Sequence, residues 1–83
     1  MQSVDIKKMI EQGITGCQAS VDGDGTHFEA IVISSDFEGK TKLEQHRMVY
    51  AALGDNMKDA IHALSIRTYT PSGWEKTRQH GIN

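Results

Sequence analysis

The side chains of this sequence that are best suited to chemistry are four histidines and a single cysteine. His27 and His62 each open a run of residues that is typical of a β-strand. If these two strands are parallel neighbours, both imidazoles lie at one edge of the sheet and supply two nitrogen donors for iron, zinc or copper. A closed structural metal site has four ligands, so a metal here needs donors from a second molecule. The alternative is that one or both of these histidines are ordinary surface or capping residues.

The other candidate groups favour structural roles. Cys17 belongs to a run that alternates apolar and polar residues, which predicts that its thiol points into the core and is unreactive. His46 falls on an apolar helical stripe and is interpreted as a hydrogen-bonding core residue. The acidic turn at 22–24 resembles the start of a calcium loop, but His27 and Ile33 occupy the positions that require glycine and glutamate. We also find no hydrolase elbow, Walker loop or zinc-protease helix, and we therefore expect no enzymatic activity.

Composition narrows the class of protein further. The chain has 83 residues, of which 37% are hydrophobic and 24% charged, and its net charge is -2. It contains no apolar run of transmembrane length and no secretory leader, and one cysteine cannot form an internal disulfide. These features predict a single cytoplasmic domain over residues 1–83. Charge is uneven: residues 1–41 carry seven acids and three bases, whereas residues 42–83 carry four acids and six bases.

The periodicity of apolar residues predicts the order α-β-β-α-(α)-β-α. Ser3 is expected to cap the first helix, which glycines 13 and 16 close. Thr70 and Pro71 mark the start of the last helix. Between these helices we predict strands at 17–22, 27–33 and 62–70, a long helix at 41–53 and a short helical turn at 57–61.

The pattern also predicts how these elements pack. The strand at 27–33 is nearly all apolar, which is typical of an interior strand covered on both faces. A glycine-rich turn joins it to the preceding strand as an antiparallel hairpin, and the helical connection to the third strand favours parallel pairing. We therefore expect an α+β fold, a three-stranded mixed sheet with helices packed on it. On the long helix, one buried stripe is expected from Leu43, His46, Tyr50 and Leu53, with Val49 beside it.

Several segments, in this order and spacing, resemble the BolA family. The loop Gly23-Asp24-Gly25-Thr26-His27-Phe28 is similar to the short bacterial branch of that family, whose variable loop carries histidine. The remaining segments that carry the resemblance are Phe37-Glu38-Gly39-Lys40, residues 46–53, residues 61–71 and Trp74.

The resemblance implies an αββααβα BolA-like fold of the class II KH-like type and a role without catalysis. It implies a heterodimer with a monothiol glutaredoxin of the Cys-Gly-Phe-Ser type, which shares a [2Fe-2S] cluster also ligated by glutathione. In that arrangement His62 is a cluster ligand and His27 is the second one from this chain. The isolated chain is expected to carry no cofactor and to be a monomer or weak homodimer. The implied roles are iron-sulfur cluster assembly and trafficking, or the response to iron and redox stress.

A second hypothesis is a DNA-binding, stress-responsive transcriptional regulator, because the family also includes proteins described in that way. The bases available for phosphate contacts are Lys40, Lys42, Arg47 and Arg67. KH modules bind the phosphate backbone with a glycine-containing loop between two helices, and this chain lacks that loop at that position. The counterpart of that loop, at 13–16, lies between the first helix and the first strand, and the helix junction at 53–56 contains an aspartate instead.

Overall fold

The computed structural model of the protein describes residues 2–58 and 63–82, with side chains described as far as residue 79. Short 3-10 turns occupy Ser35–Phe37 and Gly54–Met57. The predicted helical turn at 57–61 falls largely outside the described residues. The helices and strands are α1 (Ser3–Gly13), β1 (Cys17–Gly23), β2 (Phe28–Ser34), α2 (Lys42–Leu53), β3 (Leu64–Tyr69) and α3 (Pro71–Ile82).

The three strands form one mixed sheet in the order β1-β2-β3. β1 and β2 are antiparallel, with Cys17 opposite Ser34. β2 and β3 are parallel, with Phe28 opposite Leu64. The predicted hairpin, the parallel pairing and the α+β class are therefore confirmed, and β2 is the central strand.

The core lies between one face of this sheet and the helices α1 and α2. Phe37, from the turn after β2, is completely buried with them. The opposite sheet face is only partly covered, because Ile31 and Ile33 of β2 are half-buried and Glu29 is exposed. The prediction that this strand is covered on both faces is wrong, since α3 shields only part of the second face. The hydrophobic core consists of Ile6, Ile10, Ile14, Ala19, Phe28, Ala30, Val32, Phe37, Val49, Leu53, Met57 and Leu64.

Local capping fixes the helix ends. Gln2, not Ser3, is the N-cap of α1, and its backbone N–H donates to Asp5 Oδ2 at 2.9 Å. Ser3 is already the first helical residue, so its predicted role as the cap is wrong. Thr41 caps α2, where its hydroxyl accepts from the Glu44 N–H at 3.1 Å while Glu44 Oε1 accepts from the Thr41 N–H at 2.9 Å. Thr70 caps α3 as predicted, because its hydroxyl accepts from the Gly73 N–H.

The buried face of α2 differs from the predicted stripe. Leu43 and Tyr50 are 61% and 41% exposed. His46 is half-buried, and its ring makes no hydrogen bond within the described part of the chain, so its predicted hydrogen-bonding role is not observed. Leu53 and Val49 are buried as predicted, and the remaining buried position is Gln45, which was not predicted. The sequence pattern does not reveal this buried face, because Gln45 is a polar residue. Its amide can be buried because the fold supplies hydrogen-bond partners for it.

None of the helices in the described ranges 2–58 and 63–82 has the length and apolar character needed to span a bilayer.

Candidate functional site

His27 stands in the loop between β1 and β2, directly ahead of β2, and is exposed. Because Phe28 of β2 pairs with Leu64 of β3, the two parallel strands begin at the same end of the sheet. His27 and Ala63 accordingly line the same surface depression, of about 390 Å³. His62, the other predicted ligand, lies outside the described residues.

The loop that carries His27 is organised by one carboxylate. Asp24 Oδ1 accepts hydrogen bonds from the Thr26 N–H at 2.9 Å, the Thr26 hydroxyl at 2.7 Å and the His27 N–H at 2.9 Å. The Asp24 N–H also donates to the His27 carbonyl at 3.2 Å. These donors favour the ionised carboxylate and hold the pKa of Asp24 well below its usual range. Asp24 thus fixes the backbone of His27 while the ring stays accessible.

The imidazole ring of His27 lies near one hydroxyl group and near several carboxylates. Nδ1 lies 3.4 Å from the Thr26 hydroxyl. Asp22, Asp24 and Glu29 line the same depression as His27. Carboxylates next to an imidazole make the surface favourable for a cation or a metal centre of positive charge.

The ligand count limits what this surface does by itself. Within residues 2–58 and 63–82, no group of three or more histidine, cysteine, aspartate or glutamate side chains is arranged to hold a metal ion. One exposed imidazole fits iron as a single ligand, and the rest of a four-ligand set must come from elsewhere. The chemistry available at this site is therefore shared ligation with another molecule.

Cys17 is not part of this site. The side chain is half-buried and packs against the hydrophobic core, in agreement with the sequence prediction. Burial, with a smaller contribution from the negative charge of Glu11, raises the pKa of the Cys17 thiol to about 11. The thiol is therefore protonated at neutral pH and is a poor nucleophile and a poor metal ligand.

The four bases of the DNA-binding hypothesis are divided between different parts of the surface. Lys40 lies in the turn ahead of α2, and Arg47 is exposed on α2 itself. Lys42 and Arg67 line one groove beside β3. Lys42 is already engaged, because its ammonium donates to the Thr68 carbonyl and lies 4.9 Å from the centroid of the Tyr69 ring.

Sequence reasoning treated Asp24 only as a turn residue and missed its role in fixing the backbone of His27. The available signal is an aspartate two positions ahead of a threonine in a glycine-rich turn, which is the spacing of an Asx turn. That spacing predicts a carboxylate that accepts from the backbone N–H groups of the next residues, as observed at Thr26 and His27.

The fold and the site together define a class: a small α+β domain with a three-stranded mixed sheet and an exposed histidine where two parallel strands begin. The chain belongs to the BolA-like protein family, since the model of that family matches residues 3–73. The resemblance and the BolA-like fold predicted from the sequence are therefore confirmed.

Individual relatives agree with this assignment. BolA-like protein 1 of Bos taurus is 42% identical over 65 residues, which are 78% of this chain and 48% of the relative. The chain thus spans about half the length of that protein. Acid stress protein IbaG of Escherichia coli K12 is 31% identical over 80 residues, which are 95% of both chains. A solved structure of a BolA protein homologue from Coxiella burnetii is 50% identical with a TM-score of 0.81, and the match covers 90% of this chain and 97% of the homologue.

Proposed function

We propose that this protein is a non-enzymatic adaptor that binds a monothiol glutaredoxin and co-ligates a [2Fe-2S] cluster with it. The observation that carries the proposal is the position of His27. Its imidazole is exposed at the end of the sheet where β2 and β3 begin, and its backbone is held by Asp24. A histidine whose ring is accessible and whose backbone is held in place is suited to ligate a metal centre that lies between two proteins.

The donor set supports sharing rather than autonomous binding. Iron-sulfur clusters of this type need four protein or small-molecule ligands, two on each iron. Within the described residues, this chain offers His27 without a metal-binding group of three donors around it. In the proposed complex, the glutaredoxin cysteine and a glutathione thiol bind one iron, and this chain supplies the ligands of the other.

His62 is the proposed principal ligand from this chain, and this assignment rests on the family resemblance. It is supported by chain connectivity, since His62 directly precedes Ala63. Ala63 lines the same depression as His27. We propose His27 as the second ligand from this chain.

Histidine ligation has two consequences for such a cluster. Replacing thiolates by imidazoles on one iron raises the reduction potential. It also makes ligation sensitive to acid, because a protonated imidazole cannot bind a metal. The name of one relative, acid stress protein IbaG, is in line with such a sensitivity to acid. For this chain we propose a role in cluster trafficking or in the response to iron and redox stress.

The test is anaerobic reconstitution of the full chain with a monothiol glutaredoxin, glutathione, ferrous iron and sulfide. Visible circular dichroism is recorded for the wild type and for His62→Ala, His27→Ala and His46→Ala. The last variant is the matched control, because His46 lies on α2 and not at this end of the sheet. We expect a spectrum distinct from that of the glutaredoxin homodimer, altered by His62→Ala and His27→Ala and unchanged by His46→Ala.

A spectrum that remains that of the glutaredoxin homodimer for every chain would contradict the proposal. The DNA-binding alternative then makes a separate prediction. Binding of duplex DNA should weaken steeply with salt and with Arg47→Glu, and should not respond to His62→Ala.

A further inference from the structure

β3 is an edge strand of the sheet. It pairs with β2 on one side, and within residues 2–58 and 63–82 no strand pairs with its other side. An open strand edge presents backbone donors and acceptors to any extended segment that can lie beside it. Such a segment gains main-chain hydrogen bonds, and the alternate side chains on the edge determine which segments are accepted.

A groove of about 330 Å³ runs along this edge. Among the described residues that line it, Lys42 and Arg67 are cationic and none is a carboxylate. Besides these charges, the groove walls contain the aromatic ring of Tyr69 and the aliphatic side chain of Ile66. The lining residues are Lys42, His46, Ile66, Arg67, Thr68 and Tyr69.

The two cations reach the edge from different elements, Arg67 from β3 itself and Lys42 from the start of α2. Arg67 pairs in register with Ile31, on the face away from the core, and is exposed. Lys42 begins α2, the helix that packs on the core face through Val49 and Leu53. A strand laid along β3 presents its alternate side chains to these two faces in turn. The Lys42 ammonium itself lies at the edge, at the Thr68 carbonyl and over the Tyr69 ring, so an acidic strand laid there lies beside both cations.

Lys42 also protects the edge when nothing is bound. Its ammonium donates to the Thr68 carbonyl, which is a backbone acceptor of β3. A charged lysine side chain that occupies a strand edge, as Lys42 does from α2, is an obstacle to unspecific strand pairing. A carboxylate on an arriving segment offers the ammonium a stronger partner than a neutral carbonyl does, so an acidic segment removes this obstacle and a neutral one does not.

The same charges argue against a second copy of this chain as the occupant. Pairing of two β3 edges would place Lys42 and Arg67 of one copy against the same two cations of the other, and like charges across an interface are unfavourable. We propose that the open edge of β3 accepts an extended, acidic peptide segment of a protein partner by strand addition. This surface is separate from the His27 loop, and the proposal does not depend on cluster ligation.

The test uses a fluorescein-labelled octapeptide of glutamate and threonine, with both ends blocked, and measures fluorescence anisotropy with the full chain. We expect saturable binding that Arg67→Glu weakens about tenfold or more, as loss of a charge-assisted contact predicts. Arg78→Glu is the matched control, since it makes the same charge change on an exposed residue of α3. Circular dichroism verifies that both variants are folded.

Two further probes separate strand addition from simple charge attraction. A peptide of the same sequence with alternate backbone amides N-methylated keeps its charge but loses donors along one edge, and we expect it to bind about tenfold or more weakly. Hydrogen exchange at the Ile66 and Thr68 amides should slow when the unmodified peptide binds.

Equal binding of the methylated peptide would overturn the proposal, as would a lysine-threonine peptide that binds equally well. If oligothymidylate binds through Arg67 while the acidic peptide does not bind, the groove is a nucleic-acid surface and the proposal is also wrong.

Discussion

The Thr68 hydroxyl of β3 donates a hydrogen bond to Gln45 Oε1 of α2 at 2.7 Å, in a place where both residues are at least 95% buried. The amide of Gln45 donates in turn to the carbonyls of Lys40 at 2.9 Å and Phe37 at 3.3 Å. One glutamine therefore ties the start of α2 to an edge strand and to the turn after β2. No buried side-chain nitrogen or oxygen in the described residues lacks a partner.

Gln45→Leu should destabilise the protein by about 2–3 kcal/mol, because it leaves a buried hydroxyl and two carbonyls without their donor or acceptor. Urea unfolding followed by circular dichroism measures the free energy of unfolding. The double variant Gln45→Leu/Thr68→Val should lose less than the sum of the two single losses, because it removes both members of the pair. Strict additivity would show that the two side chains are not coupled.

Gly13→Ala should also destabilise the protein. A Cβ atom added at Gly13 would lie 2.5 Å from Ala52 Cβ, so α1 and α2 must separate at their contact. Overpacking of this kind costs about 1–3 kcal/mol and outweighs the gain of about 1 kcal/mol in helix propensity. In thermal and urea unfolding, the double variant Gly13→Ala/Ala52→Gly should recover only part of the loss, because the added Cβ also lies 2.9 Å from the Ala52 Cα and glycine is unfavourable inside α2. A stable Gly13→Ala protein would mean that the helices are not in close contact there.

Stability should depend on pH through Glu11. Its carboxylate accepts from Lys7 Nζ at 2.6 Å and from the Ala19 N–H at 3.0 Å, and these bonds lower the pKa of Glu11 from the ordinary value of 4.5. A pKa that is lower in the folded state stabilises the protein above the unfolded value, and this stability is lost as the pH falls through the folded value.

The free energy of unfolding, measured in urea between about pH 7 and pH 3, should show this loss for the wild type. The difference between the wild type and Glu11→Gln should shrink as the pH falls below 4.5. Glu38→Gln serves as the control, because the Glu38 side chain accepts no hydrogen bond in the described residues. A difference between the wild type and Glu11→Gln that stays constant with pH would contradict the assignment.

Cys17 should react slowly with thiol reagents. A pKa of about 11 leaves little thiolate at about pH 8, and the expected alkylation rate by iodoacetamide is on the order of 100-fold below that of an unstructured cysteine. The same protein in urea should react at the ordinary rate, which controls for the reagent. Rapid reaction of the folded protein would show that the thiol is neither buried nor protonated.

Asp24 should influence cluster ligation without being a ligand. Asp24→Ala removes the acceptor of three donors in the His27 loop, whereas Asp24→Asn keeps an oxygen in the same place. In the reconstitution with glutaredoxin, Asp24→Ala should lower the yield and acid stability of the mixed cluster, and Asp24→Asn should retain most of both. Equal behaviour of the two variants would show that the hydrogen bonds of the loop do not position His27.

The sequence by itself determined the order of the elements and the class of the fold. Alternation placed Cys17 toward the core, the glycine-rich turn defined the hairpin, and Thr70 with Pro71 defined the start of α3. These features are local, because they depend on backbone conformations and side-chain periods that neighbouring residues dictate. The segments that identify the BolA-like family were visible for the same reason.

Only the tertiary structure decided which faces are buried. Leu43 and Tyr50 are apolar but exposed, whereas Gln45 is polar but buried, because Thr68 and two backbone carbonyls satisfy its amide. Likewise, the second face of β2 stays partly open because α3 covers only part of it. Burial depends on which distant segments meet, and a polar residue is admitted to the core when those segments supply its hydrogen bonds.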